Sequence, residues 1–126
     1  MTGALCPSST CREGHLLLGI VGPDGTVVGL FPPLEVDRGF VETATAGRRP
    51  PESRFRFAGP CAESSCGHWD GARCRVGDAL TAAAPRLAEP VPPPRCAIRA
   101  SCRWWSQNGA LACASCSCVV HTVHTP

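Results

Sequence analysis

The chain contains no tyrosine and no lysine, so each of its 12 basic side chains is an arginine. Aromatic residues number seven in 126, four Phe and three Trp, and there is a single Met. Leu, Ile, Val and Phe together make up about a fifth of the sequence, the lower edge of what a packed core requires. No apolar run approaches the ~18 residues of a membrane-spanning helix, which argues against a membrane protein. Heptads, a Gly-X-Y period and the length of an enzyme barrel are also missing, which excludes a coiled coil, a collagen-like fibre and a large barrel. The first 25 residues have no basic segment, and their one apolar run, Leu16–Val21, is six residues long. A secretory signal is therefore not expected, and the expected location is cytoplasmic. HExxH, phosphate-loop, Ser/His/Asp and Cys-x3-Cys-x2-Cys patterns are absent, so hydrolase, nucleotide and radical-cleavage chemistry find no support.

What the chain does have is 10 cysteines, with 13 Gly and 13 Pro. That cysteine density is typical of proteins in which cross-links or metals replace a missing core. In a reducing cytoplasm cysteines remain thiols unless something ligates them, so metal or iron–sulfur binding is expected ahead of disulfides. Loss of a secretion signal from the chain would raise the share of disulfides. The formal charge of +2 counts every thiol as neutral. Two sites of four thiolates on a doubly charged core, each near −2, would carry the chain from +2 to about −2. The basic balance is thus no argument for a nucleic-acid partner.

The cysteines fall into three units, 1–14, 60–74 and 96–118, of a single metal-stapled domain covering 1–126. The intervening segment 15–59 carries the regular strand signals. Leu16–Val21 and residues 26–31 flank Gly22-Pro23-Asp24-Gly25, which predicts a β-hairpin that Pro32-Pro33 stops. Residues 36–41 suggest one helical turn, 44–51 a loop, and the alternation over 53–57 a third, half-buried strand. Asp78 is expected to cap a helix over 79–84 that Pro85 ends. Residues 89–95 read as a stiff proline-rich linker. The expected fold is a small irregular α+β domain. A three-stranded antiparallel sheet, short helices and cysteine-bearing loops would surround two metal centres.

An internal echo organises the ligands. Cys61, Cys66 and Cys74 and then Cys96, Cys102 and Cys113 both fit Cys-Ala-(x2–3)-Ser-Cys-x-x-Trp-(x1–3)-Gly-Ala-(x1–2)-Cys. In each copy Ser65 or Ser101 would cap a short helix with Trp on its first turn, and Gly71 or Gly109 would return the chain with positive φ. Two copies of a unit that converges three thiols predict two similar sites. The plain alternative is chance similarity in a Cys- and Ala-rich chain. Each site needs a fourth ligand. Cys116 supplies it to Cys96, Cys102 and Cys113, with Cys118 as competitor. Cys11 or Cys6 supplies it to Cys61, Cys66 and Cys74 by folding across from the N-terminus. The expected spares are Cys118 and one of Cys6 and Cys11.

Structural zinc prefers pairs two to four residues apart on tight knuckles. The gaps here also include five and seven residues, which suit the corners of a cubane reached by wandering loops. The expected cofactors are therefore two iron–sulfur clusters of the four-iron kind, with zinc as the alternative. Arg12, Arg73, Arg75, Arg95, Arg99 and Arg103 flank these cysteines and would balance a net-negative site. Arg is also the only cation the chain uses, so some must lie there in any case. His68 is a candidate replacement ligand, His121 and His124 read as solvated, and His15 opens a strand. Arg103-Trp104-Trp105 reads as packing over a site rather than as a base-stacking platform, because no basic stripe accompanies it.

The Cys102-x10-Cys113-x2-Cys116 spacing is similar to the cluster motif of siderophore-iron reductases, with Ser101-Cys102 where those carry a Cys-Cys doublet. The Cys61-x4-Cys66 gap resembles that of plant-type ferredoxins, without the Cys-x2-Cys that follows there. Neither likeness extends along the chain, so neither assigns a family. The functional expectation is a small iron–sulfur protein acting as an electron carrier or as the cluster-bearing subunit of a larger complex, with a protein redox partner. A zinc-stapled interaction module and a redox or metal sensor are the alternatives. No catalytic residue stands out.

Overall fold

A computed structural model describes residues 4–83 and 95–116. Pro85, residues 89–94 of the proline-rich segment, Cys118, His121 and His124 lie outside the described residues. The fold is a small α+β arrangement of an antiparallel sheet and short helices. Among the described residues no helix is long and apolar enough to cross a membrane.

The sheet has four strands, not three. β1 (Leu5–Ser9), β2 (Leu16–Val21), β3 (Val27–Glu35) and β4 (Phe55–Pro60) lie in the order β1-β4-β2-β3. β2 and β3 form the expected hairpin, with Val21 opposite Val27. Its turn is closed by Gly22 N–H to Thr26 O at 2.8 Å on the return side, and Gly25 adopts φ 83°. Pro32-Pro33 does not end β3, which continues to Glu35. β3 is an edge strand, and an edge position tolerates residues without an N–H to donate. The extra strand is β1. Its sequence, Leu-Cys-Pro-Ser-Ser, has little intrinsic strand preference, and pairing with β4 supplies the order instead.

Two helical segments correct the expected boundaries before β4. Asp37 caps α1 (Arg38–Thr45) by accepting Phe40 N–H at 2.8 Å, so this helix starts later and runs longer than one turn over 36–41. Pro51 opens α2 (Pro51–Arg54), a position suited to a residue with no N–H to lose. Ser53 and Arg54 are thereby taken out of the strand, and β4 begins at Phe55. β4 is buried from Arg56 to Gly59, not half-buried, because neighbours flank both its edges and layers cover both its faces.

Those layers are set by strand alternation. On one face Leu17, Phe57 and Val36 form a core with Phe40, Val41 and Phe55 of α1 and β4. Phe40, Phe55 and Phe57 meet edge to face at centroid distances of 5.5–6.2 Å. The opposite face turns Leu16, Leu18, Arg56 and Ala58 toward the cysteine units. There Ala58 packs with Cys74, Ile98, Cys102, Trp104 and Ala112. Trp104 is 2 % exposed and is the largest fully buried side chain. The helices of this layer are α3 (Arg75–Ala83), α4 (Arg103–Asn108) and α5 (Ala110–Cys116). α3 begins before Asp78, so Asp78 lies in its first turn rather than capping it.

Asp78 instead gathers donors. Arg73 Nη2 donates to its carboxylate at 2.7 Å, Asn108 Nδ2 at 2.9 Å and Gln107 Nε2 at 3.2 Å. The Arg73 bond first, then that of Asn108, hold the carboxyl well below the usual carboxylate range. A depressed folded pKa contributes stability above the unfolded value of about 3.9 and loses it as pH falls through the folded one. Comparing melting temperatures across pH checks this. The advantage of the native protein over Asp78→Asn should be full above about pH 4 and should shrink on further acidification.

Candidate metal centre

The two echoed units fold alike at their centres. A 3-10 turn, Glu63–Ser65 or Arg99–Ser101, immediately precedes Cys66 or Cys102, and each of these cysteines has extended backbone. Ser65 and Ser101 close those turns rather than cap helices, which corrects the expected capping role. After Cys102 the chain enters α4, whereas after Cys66 it makes only turns to an isolated bridge between Trp69 and Cys74. Gly71 and Gly109 have φ of 107° and 70°, the left-handed region that glycine enters at little cost.

The first group of thiols is Cys6, Cys61, Cys66 and Cys74. Cys6 stands on β1, and Cys61 N–H donates to Ala4 O at 2.9 Å, which ties the second unit to the N-terminal strand. Burial pushes the Cys6 thiol up to about 11, the Ser8 backbone N–H pulls it down, and Cys61, Cys74 and Cys66 add to the rise. Cys6 is therefore in electrostatic reach of all three. The Cys66 sulfur accepts the His68 N–H at 3.4 Å, so His68 contributes its backbone while the residue itself is exposed. Gln107 of α4 clasps Cys74 from both sides, accepting its N–H at 2.8 Å and donating to its carbonyl at 2.9 Å.

The second group is Cys96, Cys102, Cys113 and Cys116. Cys113 and Cys116 stand three apart on α5, a spacing that puts both on one side of the helix. Cys102 occupies the residue before α4. Burial pushes its thiol up to about 11. The backbone N–H groups of Trp105 and Trp104 approach the sulfur and pull the other way, without closing a capping hydrogen bond, and Cys116 and Cys96 push up again. The Cys116 thiol is raised by burial, lowered by the Arg56 guanidinium, and raised by Cys113 and Cys96. All four thiols line one cavity of about 190 Å³. A single water needs only ~10–15 Å³ of such space. Arg56, Arg95, Trp104 and Trp105 also line it, and among the described residues no carboxylate does.

Cys11 stands apart from both groups. Its N–H donates to the buried Glu52 carboxylate at 2.7 Å, and it packs with Leu17, Val36 and Phe57 on the far face of the sheet. The structure thus brings Cys6, and not Cys11, to Cys61, Cys66 and Cys74. The nine described cysteines are all free thiols. Among the described residues no three His, Cys, Asp or Glu side chains converge closely enough to grip a single metal ion.

The two groups adjoin. Leu5, one residue before Cys6, forms a parallel bridge with Cys102. Arg103 donates to the Cys61 sulfur, pairs with Glu63 and stacks over Trp69 at 5.1 Å. Arg73 and Asp78 make a second ion pair near this group. Arg56 is the residue of this layer that sequence reading missed. Its Nε donates to Pro7 O at 2.8 Å and its Nη1 to Cys116 O at 2.6 Å, so one side chain touches the strand of Cys6 and the helix of Cys116. It is 7 % exposed, and its Nη2 has no hydrogen-bond partner among the described residues. Only a cation within an alternating strand signalled it, and that pattern more often marks a solvent face. Compared with known proteins, the chain matches no family model, no curated protein and no solved structure.

Proposed function

We propose that the protein holds two iron–sulfur clusters of the four-iron kind and carries electrons, alone or as the cluster-bearing subunit of a larger complex. Cys6, Cys61, Cys66 and Cys74 would ligate one cluster, and Cys96, Cys102, Cys113 and Cys116 the other. The observation that carries this reading is the cavity lined by the second four thiols, with arginines and no described carboxylate around it. Buried guanidinium charge calls for an anion, and four thiolates on a [4Fe–4S]²⁺ core supply a net −2.

Spacing favours a cluster over zinc. Around one zinc ion, thiolates sit roughly 3.8 Å apart, given a Zn–S bond of about 2.3 Å. Here the sequence gaps between the cysteines include five and seven residues, wider than the tight knuckles of structural zinc sites. A cubane holds its ligand sulfurs further apart, at its outer corners. The Ser8, His68, Trp104 and Trp105 backbone N–H groups facing Cys6, Cys66 and Cys102 are the outer-shell donors that tune such sulfurs. Burial pushes the Cys6 and Cys102 thiols up to about 11, so ligation would have to draw those protons off. Free thiols fit a reducing compartment. The bridge between Leu5 and Cys102 puts the two groups side by side, which suits stepwise transfer to and from a protein redox partner.

Anaerobic purification followed by visible spectroscopy tests the reading. Brown protein whose sulfur-to-iron absorption bleaches on reduction is the expected result. A colourless protein carrying two zinc ions would overturn it.

A further inference from the structure

The two thiol groups sit in unequal electrostatic surroundings. Beside the first, charges cancel in pairs: Arg103 with Glu63, and Arg73 with Asp78. Around the second, Arg56, Arg95 and Arg99 line the cavity, and neither Arg56 nor Arg95 forms an ion pair among the described residues. Aromatic faces fix both guanidiniums, Arg56 over Trp104 at 5.5 Å and Arg95 over Phe31 at 3.9 Å. Arg56 is the more telling of the two. It is more than nine-tenths buried, and its Nη2 is unpartnered among the described residues. A buried guanidinium without a carboxylate is costly unless an anion answers it.

Building on the iron–sulfur reading above, we infer that the cavity site has the higher reduction potential, set chiefly by Arg56, so electrons move from the Cys6 group toward the Cys116 group. Adding one electron to a four-thiolate cluster changes its charge from −2 to −3. Uncompensated cations stabilise the −3 state more than the −2 state, which raises the potential. Paired charges beside the first group largely cancel. Solvent exposure does not separate the sites, since Cys61 and Cys66 are half-buried in the first group and Cys96 is exposed in the second. Arg56 does separate them, because it is buried and its field is little screened. In the transfer, one electron leaves the reduced cluster at the Cys6 group, which returns to [4Fe–4S]²⁺. It enters the oxidised cluster in the cavity, which becomes [4Fe–4S]⁺. No proton moves, and a reduced flavin or iron–sulfur protein is the class of donor that would refill the first site.

Arg56 acts through the cluster rather than on a substrate, so it is a positioning residue and the decisive readout is a potential. A dithionite titration of the full-length, anaerobically purified protein, followed by electron paramagnetic resonance, should show two one-electron midpoints. Cys113→Ser should abolish the upper one. Arg56→Gln should weaken reduction at the upper site at least tenfold, about 59 mV for a one-electron couple, and move the lower midpoint less. Arg56→Lys, which keeps the charge, should retain most of the native value. Arg95→Gln, at an exposed position, should shift the upper midpoint in the same direction by a smaller amount. Loss of the upper midpoint in Cys74→Ser instead, or equal movement of both midpoints in the Arg56 and Arg95 variants, would overturn the assignment while leaving two loaded clusters intact. Native protein with zinc and no sulfide would overturn the assignment and the iron–sulfur reading together.

Discussion

If two clusters are bound as proposed, stripping them should collapse the cysteine face of the protein. That layer consists of three short helices, two 3-10 turns and loops, none of which would be stable alone. Its apolar content is small: Ala58, Ile98, Trp104 and Ala112 with the buried Cys74 and Cys102. In the proposed holo form, coordination joins segments far apart in sequence, Cys6 to Cys74 in one site and Cys96 to Cys116 in the other. Ligand binding free energy then becomes folding free energy. Without it, β1 loses the unit that anchors it, the buried Arg56 loses its anion, and the sheet is left uncovered on one face. Chelation or cluster oxidation should therefore abolish the cooperative thermal transition and expose Trp69, Trp104 and Trp105 to quencher. Circular dichroism should fall with it, because a hairpin such as β2–β3 is marginal by itself. An apo form that melts cooperatively near the native temperature would show that the metal is not the staple.

Single ligand substitutions should divide the protein in two. Cys113→Ser or Cys102→Ser should remove the cavity cluster and leave much of the other. Cys74→Ser should do the reverse. Cys11→Ser should remove neither, because Cys11 packs against Leu17 and Val36 on the opposite face of the sheet. Cys118→Ser should also remove neither, as the second group has four thiols without it. Some coupling is expected. Gln107 links α4 to Cys74, and Arg103 links the third unit to Cys61 of the second. Complete loss of iron from every one of these variants would mean that the sites form a single cooperative unit. Iron content and visible absorption per chain read the outcome.

The elements legible in the sequence are those with strong local signals. Gly22-Pro23-Asp24-Gly25 between two apolar runs specified the hairpin, and the echoed cysteine units specified positive φ at Gly71 and Gly109. Other elements depend on contacts that a local reading does not contain. β1 exists because β4 offers it an edge, and nothing in Leu-Cys-Pro-Ser-Ser announces a strand. β3 passes through Pro32-Pro33 because its outer edge needs no partner. β4 starts late because Pro51 nucleates a turn that consumes Ser53 and Arg54. Arg56 was hidden for a related reason. Alternation of Arg54, Phe55, Arg56 and Phe57 implies one wet face, but a central strand with layers on both sides has none. The choice between Cys6 and Cys11 likewise turned on a long-range contact, the bond from Cys61 N–H to Ala4 that brings the second unit to β1.

Iron and acid-labile sulfide per chain, measured together on anaerobically purified protein, test the central claim most directly. Two four-iron clusters require about eight of each. Values near eight and eight, falling to about four and four in Cys113→Ser, are the predicted result. About two zinc ions per chain with no sulfide would contradict it.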